Sequence, residues 1–282
     1  MKTNNFNYSD LFSQKLPFLV EETENYALVY KPSNMHCVHN EKKNNSALLD
    51  WYNDSFHALT PIKGRNKGEG GLLYRLDFLT QGLVLFAKKQ QFFEHYIALQ
   101  NDGKVFKKYL ALCKKETKLC ARGYPAAPVV NAYPTEIKSF FRAYGPGRKE
   151  VRPVLDIDKT NKKIAFGTSV PYKTEITCVK EMDDFFNDIK RKEIFKFFIV
   201  LRRGFRHQIR CHLSWIHCPI IGDPIYGSTS VLKDENFLNG MLGLFCYGIS
   251  FFDLTGKYVD CMLKFEATME FANMFSQILI NT

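Results

Sequence analysis

Short apolar runs of strand length recur along most of this chain, with few helical stretches between them, and that order limits its possible folds more than any other feature. Residues 26–31 (YALVYK) read as a short strand running into a turn at Pro32. Residues 72–76 (LLYRL) and 83–88 (LVLFAK) are apolar runs separated by DFLTQG, where Thr80 and Gly82 suit a turn. Residues 105–113 (VFKKYLALC) and 196–202 (KFFIVLR) have strand character, and 163–168 and 175–180 read as a strand pair around Pro171. Residues 245–252 and 258–265 suggest a hairpin around Thr255-Gly256. Helical spacing is confined to four places. A helix is expected near residues 47–53. Residues 90–100 put Phe92, Phe93, Tyr96 and Ile97 on one face, and Gly103 suits the cap. Residues 206–216 carry Ile209, Leu213 and Ile216 as a buried stripe, and 267–280 form a last helix. A regular alternation of strand and helix is missing, so a doubly wound parallel sheet is excluded. The expectation is a mixed α+β fold with a largely antiparallel sheet.

With 282 residues, 45% of them hydrophobic, the chain can bury a core without disulfide or metal staples. Lys and Arg total 39 against 29 Asp and Glu, a net charge of +10. Such a surplus attracts polyanions, either nucleic acid or an anionic membrane surface. No apolar run reaches the ~18 residues of a membrane span, and residues 1–17 lack a signal-peptide core. A cytoplasmic protein without a membrane partner is expected. The eight cysteines form no C-x-x-C pair and read as reduced, small hydrophobes. Cys211, His212, His217 and Cys218 are crowded metal-ligand types, but their spacing does not fit structural zinc, and no metal is expected. Residues 114–153 hold Pro125, Pro128, Pro134, Pro146 and Pro153 with Arg142, Arg148, Lys149 and Arg152. Pro and Gly at that density argue against regular elements there.

The segment GGLLYRLDFLTQGLVLFAKK carries the strongest chemical signal. Asp77 stands where a strand gives way to a loop, with Arg75 two residues earlier. If the strand continues to Asp77, both side chains share a face. A guanidinium there favours the ionised carboxylate, which suits a nucleophile or general base. The same residues also fit a plain Arg–Asp pair tying down a turn.

YRLDFLTQGLVLFAK resembles the H-R-L-D-x-x-T-S-G-L-L-L-F-A-K signature of RluA-type pseudouridine synthases. Other blocks of that family follow in order. LVYKPSNMHCVH is similar to its K-P-x-G-x-x-V-H segment, VFKKYLALC to V-x-K-x-Y-L-A-L, and LRRGFRHQIRCHLSWIHCPIIGDPIYG to L-x-T-G-R-T-H-Q-I-R-x-H-L-x-x-x-G-x-P-I-x-G-D-x-x-Y-G. FCYGISFFDLTGK resembles the closing strands, and the likeness runs from about Tyr26 to about Lys264. It implies the pseudouridine synthase catalytic fold, a bent, largely antiparallel sheet flanked by helices and loops. It further implies one catalytic domain over 1–282, with a short extension at 1–25 and a Pro/Gly-rich insertion at about 114–153.

The resemblance assigns roles as well. Asp77 matches the catalytic aspartate, and Arg75 the arginine that fills the gap left when a base is extruded. Tyr109 matches the active-site tyrosine that stacks on the uracil. Arg210 matches the basic residue that pairs with the aspartate, and its spacing from Arg206 lets the two share a helix face. Arg202, Arg203, Arg206 and His207 form a weaker RNA-binding set suited to phosphates. The implied activity needs no cofactor, and its partner is a structured RNA, ribosomal or transfer, bound by a monomer. Tyr74 stands in place of the family's His, Gln81 of its Ser and Asn34 of its early Gly, while RGFRHQ replaces T-G-R-T-H-Q. The residues with assigned catalytic roles are intact. The insertion either touches RNA through Arg142, Arg148 and Lys149 or forms a flap with solvated charges. Two other classes compete. One is an RNA chaperone that kept the fold and lost catalysis. The other is a glycosidase, which usually needs two facing carboxylates; Asp223 reads instead as a turn residue.

Overall fold

A computed structural model describes residues 15–39, 46–56, 62–116, 123–155, 170–181, 194–227 and 241–280. In chain order the elements are β1 (Phe18–Glu22), β2 (Tyr26–Lys31), α1 (Leu48–Phe56), β3 (Gln81–Ala87), α2 (Gln90–Asn101), β4 (Phe106–Lys114) and β5 (Thr135–Tyr144). They continue with β6 (Glu150–Val154), β7 (Tyr172–Glu181), β8 (Ile194–Leu201), α3 (Gln208–Trp215), β9 (Leu244–Phe252), β10 (Tyr258–Met262) and α4 (Phe265–Ile280). The chain divides into two compact units, one of Met1–Lys107 with Phe245–Met274 and one of Lys108–Leu244 with Phe275–Thr282. Among the described residues no helix is long and apolar enough to cross a membrane.

In the first unit the strands run β1–β2–β3–β9, with β10 on β9. Pairing is antiparallel between β1 and β2, β2 and β3, and β9 and β10, and parallel between β3 and β9. Every residue of β2 and β3 is buried, so neither strand shows the alternation of a half-exposed sheet. Tyr26, Phe92 and Phe251 meet at ring-centroid distances of 5.4–5.7 Å, and Tyr52 stacks on Phe86 at 4.2 Å. The second unit orders its strands β4–β8–β7–β5–β6, with antiparallel pairing from β8 onward. Its core joins Phe141, Val151, Cys211 and Tyr226, with Tyr124, Tyr172 and Phe205 against them.

The α+β class and the largely antiparallel sheet are as expected, and so are the four α-helices among the described residues. Several local expectations need correction. The first strand begins at Phe18, inside the expected 1–25 extension. Residues 72–76 are not a strand. Leu72 bridges Phe86 and the Leu73 N–H donates to the Leu85 carbonyl, but pairing then stops. One edge of β3 is already taken by β2, and at Gln81 and Gly82 the other edge is committed to Phe245 and Cys246 of β9. Among the described residues, 74–77 carry no strand pairing. Gly82 is accordingly a strand residue, not a turn residue. A Cβ there would lie 2.2 Å from the Cys246 carbonyl oxygen, and its φ of +126° favours glycine. Residues 135–154 hold two strands where Pro and Gly argued against any. The strand expected at 163–168 lies outside the described residues.

Candidate active site

Asp77 opens a turn closed by the Thr80 N–H on the Asp77 carbonyl, 3.1 Å, and its side chain is half-buried. The turn is gripped by residues 31–37 of the same unit. Lys31, at the end of β2, is fully buried, and its ammonium donates to the carbonyls of Pro32 (2.8 Å), Met35 (2.9 Å) and Phe78 (3.3 Å). Burial pushes that ammonium down to about 8, while the nearby Cys37 and Asp77 act in the opposite direction. The Ser33 hydroxyl donates to the Leu79 carbonyl at 2.9 Å, and the Met35 N–H to the Phe78 carbonyl at 3.2 Å. The rings of His36 and Phe78 lie 4.5 Å apart. Asn34 adopts φ +60°, the left-handed turn that Asn tolerates and that aims this segment back at the Asp77 turn.

Arg75 is exposed, and its guanidinium pairs with the Glu69 carboxylate at 3.3 Å. The shared strand face expected for Arg75 and Asp77 does not exist, because the segment has left the sheet before Arg75. Tyr74, in place of a histidine, donates its hydroxyl to the Leu83 carbonyl at 2.8 Å, so a side chain bridges the gap where backbone pairing has ended. The Lys107 ammonium lies 5.4 Å from the Tyr74 ring centroid.

In the second unit Tyr109 is buried on β4. Arg210 is buried on α3 and donates from Nε and Nη2 to the two oxygens of Asp223, both at 2.8 Å. Asp223 is fully buried and also accepts the N–H groups of Ile225 and Tyr226 at 2.9 and 3.0 Å, the turn role expected of it plus a bidentate hold on Arg210. The helix starts two residues later than expected. His207 takes φ +56° and Gln208 opens α3, its side chain accepting the Phe205 N–H at 2.9 Å. Arg206 therefore does not share a helix face with Arg210. Its guanidinium is exposed and bonds instead to the carbonyls of Arg148 and Glu150. Arg202 pairs with Glu175 at 2.7 Å, Arg203 lies 5.5 Å from the Tyr172 ring centroid, and His207 meets the Tyr226 hydroxyl at 3.1 Å.

Two of the crowded metal-ligand types, His212 and Cys211, have hydrogen-bond partners within the fold. Both ring nitrogens of His212 are taken, by the hydroxyls of Thr174 (2.8 Å) and Ser139 (2.9 Å), and burial pushes this imidazole down to about 3. The Cys211 thiol donates to the Val151 carbonyl. Sequence reasoning missed Cys37, which reads as a small hydrophobe, and Glu69, which lies in a polar stretch. The spacing between Glu69 and Arg75 offers no periodic signal, so only the fold reveals that pair.

Two human proteins share the fold. RNA pseudouridylate synthase domain containing 1 aligns over 89% of this chain and 84% of its own, with a TM-score of 0.59 and 17% identity. RNA pseudouridylate synthase domain containing 4 aligns over 92% of both chains, with a TM-score of 0.57 and 17% identity. Among curated relatives, ribosomal large subunit pseudouridine synthase D of Buchnera aphidicola is 22% identical over 218 residues, 76% of this chain and 55% of the relative. An RNA pseudouridine synthase of Aquifex aeolicus is 24% identical over 273 residues, 95% of this chain and 75% of the relative. One from Helicobacter pylori is 27% identical over 232 residues, 79% of this chain and 61% of the relative. The chain thus spans little more than half of the Buchnera relative's length. Residues 25–215 match the profile described as RNA pseudouridylate synthase, a stretch that takes in the Asp77 turn, Tyr109 and Arg210, and on that match the chain belongs to the RNA pseudouridylate synthase family.

Proposed function

We propose that this protein isomerises uridine to pseudouridine in a structured RNA, with Asp77 as its catalytic carboxylate. The observation that carries the reading is the half-buried Asp77 on a turn clamped by Lys31, Ser33 and Met35. A carboxylate held that firmly suits a step in which one group must meet one atom. In the reaction the C1′–N1 bond breaks and a C1′–C5 bond forms; C5 loses its proton and N1 gains one. Asp77 can open the sequence by attacking C1′ or C6, or by removing the ribose 2′ proton. No redox partner or cofactor enters that balance.

The other roles follow the resemblance. Arg75 takes the place of the extruded nucleotide, and its exposed guanidinium is available for that. Tyr109 stacks on the uracil, Arg210 supports the aspartate, and Arg202, Arg203, Arg206 and His207 lie along the RNA backbone. The same reading takes residues 1–282 as one catalytic domain, a monomer acting in the cytoplasm. The substrate is ribosomal or transfer RNA. The Buchnera relative is named for the large ribosomal subunit, which makes that RNA the first to examine.

The test uses RNA extracted from cells that lack the protein. Incubation with purified protein is expected to convert a defined uridine, mapped by carbodiimide-based sequencing, and Asp77→Asn is expected to convert none while still binding the RNA. An Asp77→Asn variant with wild-type activity would falsify the catalytic assignment, whereas a wild-type protein that binds the RNA and converts no uridine would leave the RNA-chaperone reading standing.

A further inference from the structure

Residues 31–37 hold the Asp77 turn at Phe78 and Leu79 through Lys31, Ser33 and Met35, all on the far side of the carboxylate. On the near side stands Leu76, which is buried and belongs to a segment that has already left β3. Buried backbone groups need partners, since leaving one unmade costs about 1–3 kcal/mol. At Leu76 both groups turn to a single atom. The Cys37 thiol donates to the Leu76 carbonyl at 3.4 Å, and the Leu76 N–H donates to the same sulfur at 3.2 Å.

We propose that Cys37 is a positioning residue for Asp77, its thiol standing in for the missing neighbouring strand and fixing the peptide that precedes the carboxylate. A strand partner would meet the N–H and the carbonyl of one residue with two separate groups. A thiol, which is both donor and acceptor, meets both from one point. Burial raises the Cys37 pKa and so keeps the proton needed for the donation. The sulfur is itself anchored, because the Leu48 and Leu49 N–H groups at the start of α1 donate to the carbonyls of His36 and Cys37 at 2.9 and 3.1 Å. The line of support therefore runs from α1 through Cys37 to Leu76 and on to Asp77. Lys31 and Ser33 keep the turn from drifting at its other end.

The inference rests on Asp77 being the catalytic carboxylate, and its test separates the two claims. Cys37→Val keeps the bulk and removes both hydrogen bonds; Cys37→Ser restores a donor and acceptor. With RNA extracted from cells lacking the protein, Cys37→Val is expected to lower the single-turnover rate of pseudouridine formation by about tenfold or more. Its RNA affinity, from filter binding, is expected to stay within about twofold of wild type, and Cys37→Ser is expected to recover most of the rate. Hydrogen exchange provides a readout free of activity. The Leu76 amide is expected to exchange about tenfold faster in Cys37→Val and close to the wild-type rate in Cys37→Ser. Should Cys37→Val fail to fold, Cys37→Ala is compared with Cys37→Ser in the same two assays. Equal rates in the Val and Ser variants, or unchanged Leu76 exchange in Cys37→Val, would overturn the proposal. If the wild-type protein converts no uridine, the functional reading falls, and the exchange comparison still decides whether Cys37 holds Leu76.

Discussion

The Arg75 side chain is 59% exposed, whereas the Glu69 side chain that holds it is only 12% exposed. The pair lies at the surface on its arginine side, so its net worth is at most about 1 kcal/mol. Glu69 also lies in the field of Arg65, whose own guanidinium donates to Gln100. If Arg75 meets RNA as proposed, Glu69 is a weak tether that competes with the RNA for it. Removing the tether is expected to help binding. Glu69→Gln should leave urea stability within about 0.5 kcal/mol and tighten RNA binding about two- to fivefold at low salt, because Arg75 no longer has to exchange an internal carboxylate for the RNA. Weaker binding in that variant would mean that Glu69 orients Arg75 instead of competing for it. Arg210 presents the contrasting case. Its bidentate pair with Asp223 is buried on both sides, and losing one partner of such a pair costs about 3–5 kcal/mol.

Among the strands, β4 carries an unusual load, since its Lys107 is only 3% exposed with the Tyr74 ring face as its partner for the ammonium. Burial pushes Lys107 down to about 8 from the ordinary 10.5. Between those two values the unfolded chain binds more protons than the folded one, so stability rises with pH over about 8 to 10.5 and the penalty is present in full below 8. A depression of that size corresponds to a cost of about 3 kcal/mol as an upper bound, part of it offset by the cation–π contact. Lys107→Met is therefore expected to raise urea stability at pH 7, with the gain shrinking toward zero by pH 10.5. A gain independent of pH would place its origin in packing, not charge. The strands around this lysine were legible in the sequence, because buried strands such as β2 and β3 read as unbroken apolar runs. β5 and β6 were not. Along β5 the residues Ile137, Ser139 and Phe141 are buried in alternation, but their turn at Gly145–Gly147 and the Pro153 of β6 mimic a loop. Pro153 is tolerated because, among the described residues, β6 is the last strand of its order and has no ladder on its outer side. In the candidate site the residue types were legible and their supports were not. Cys37 and Leu76 are far apart in sequence, and a thiol bonding two backbone groups leaves no pattern in residue type.

Taken over the whole molecule, the surplus of +10 is what remains after many carboxylates have been answered by nearby cations. Glu22 pairs with Lys88, Glu136 with Lys138 and Lys173, Glu150 with Arg152, and Glu175 with Arg202. Basic side chains left outside such pairs are the ones free to displace counterions from a polyanion. On the β5–β6 hairpin Lys149 is exposed, and the hairpin is stitched to the start of α3 by Arg206 and to Tyr226 through the Val151 N–H, 2.7 Å. A rigidly mounted cation loses little conformational entropy on meeting a phosphate. If about five phosphates are met, log affinity falls against log salt with a slope of about −3.5, a loss on the order of 100-fold between 50 and 200 mM. Lys149→Gln is expected to reduce that slope by about 1 and weaken binding to all RNAs alike, as a phosphate contact should. Asp77→Asn, which removes no cation, is expected to keep the parent slope. Filter binding across a salt series measures both. An unchanged slope in Lys149→Gln would assign the hairpin's charges to water and make the hairpin a structural flap, so one titration decides between the two roles its sequence allows.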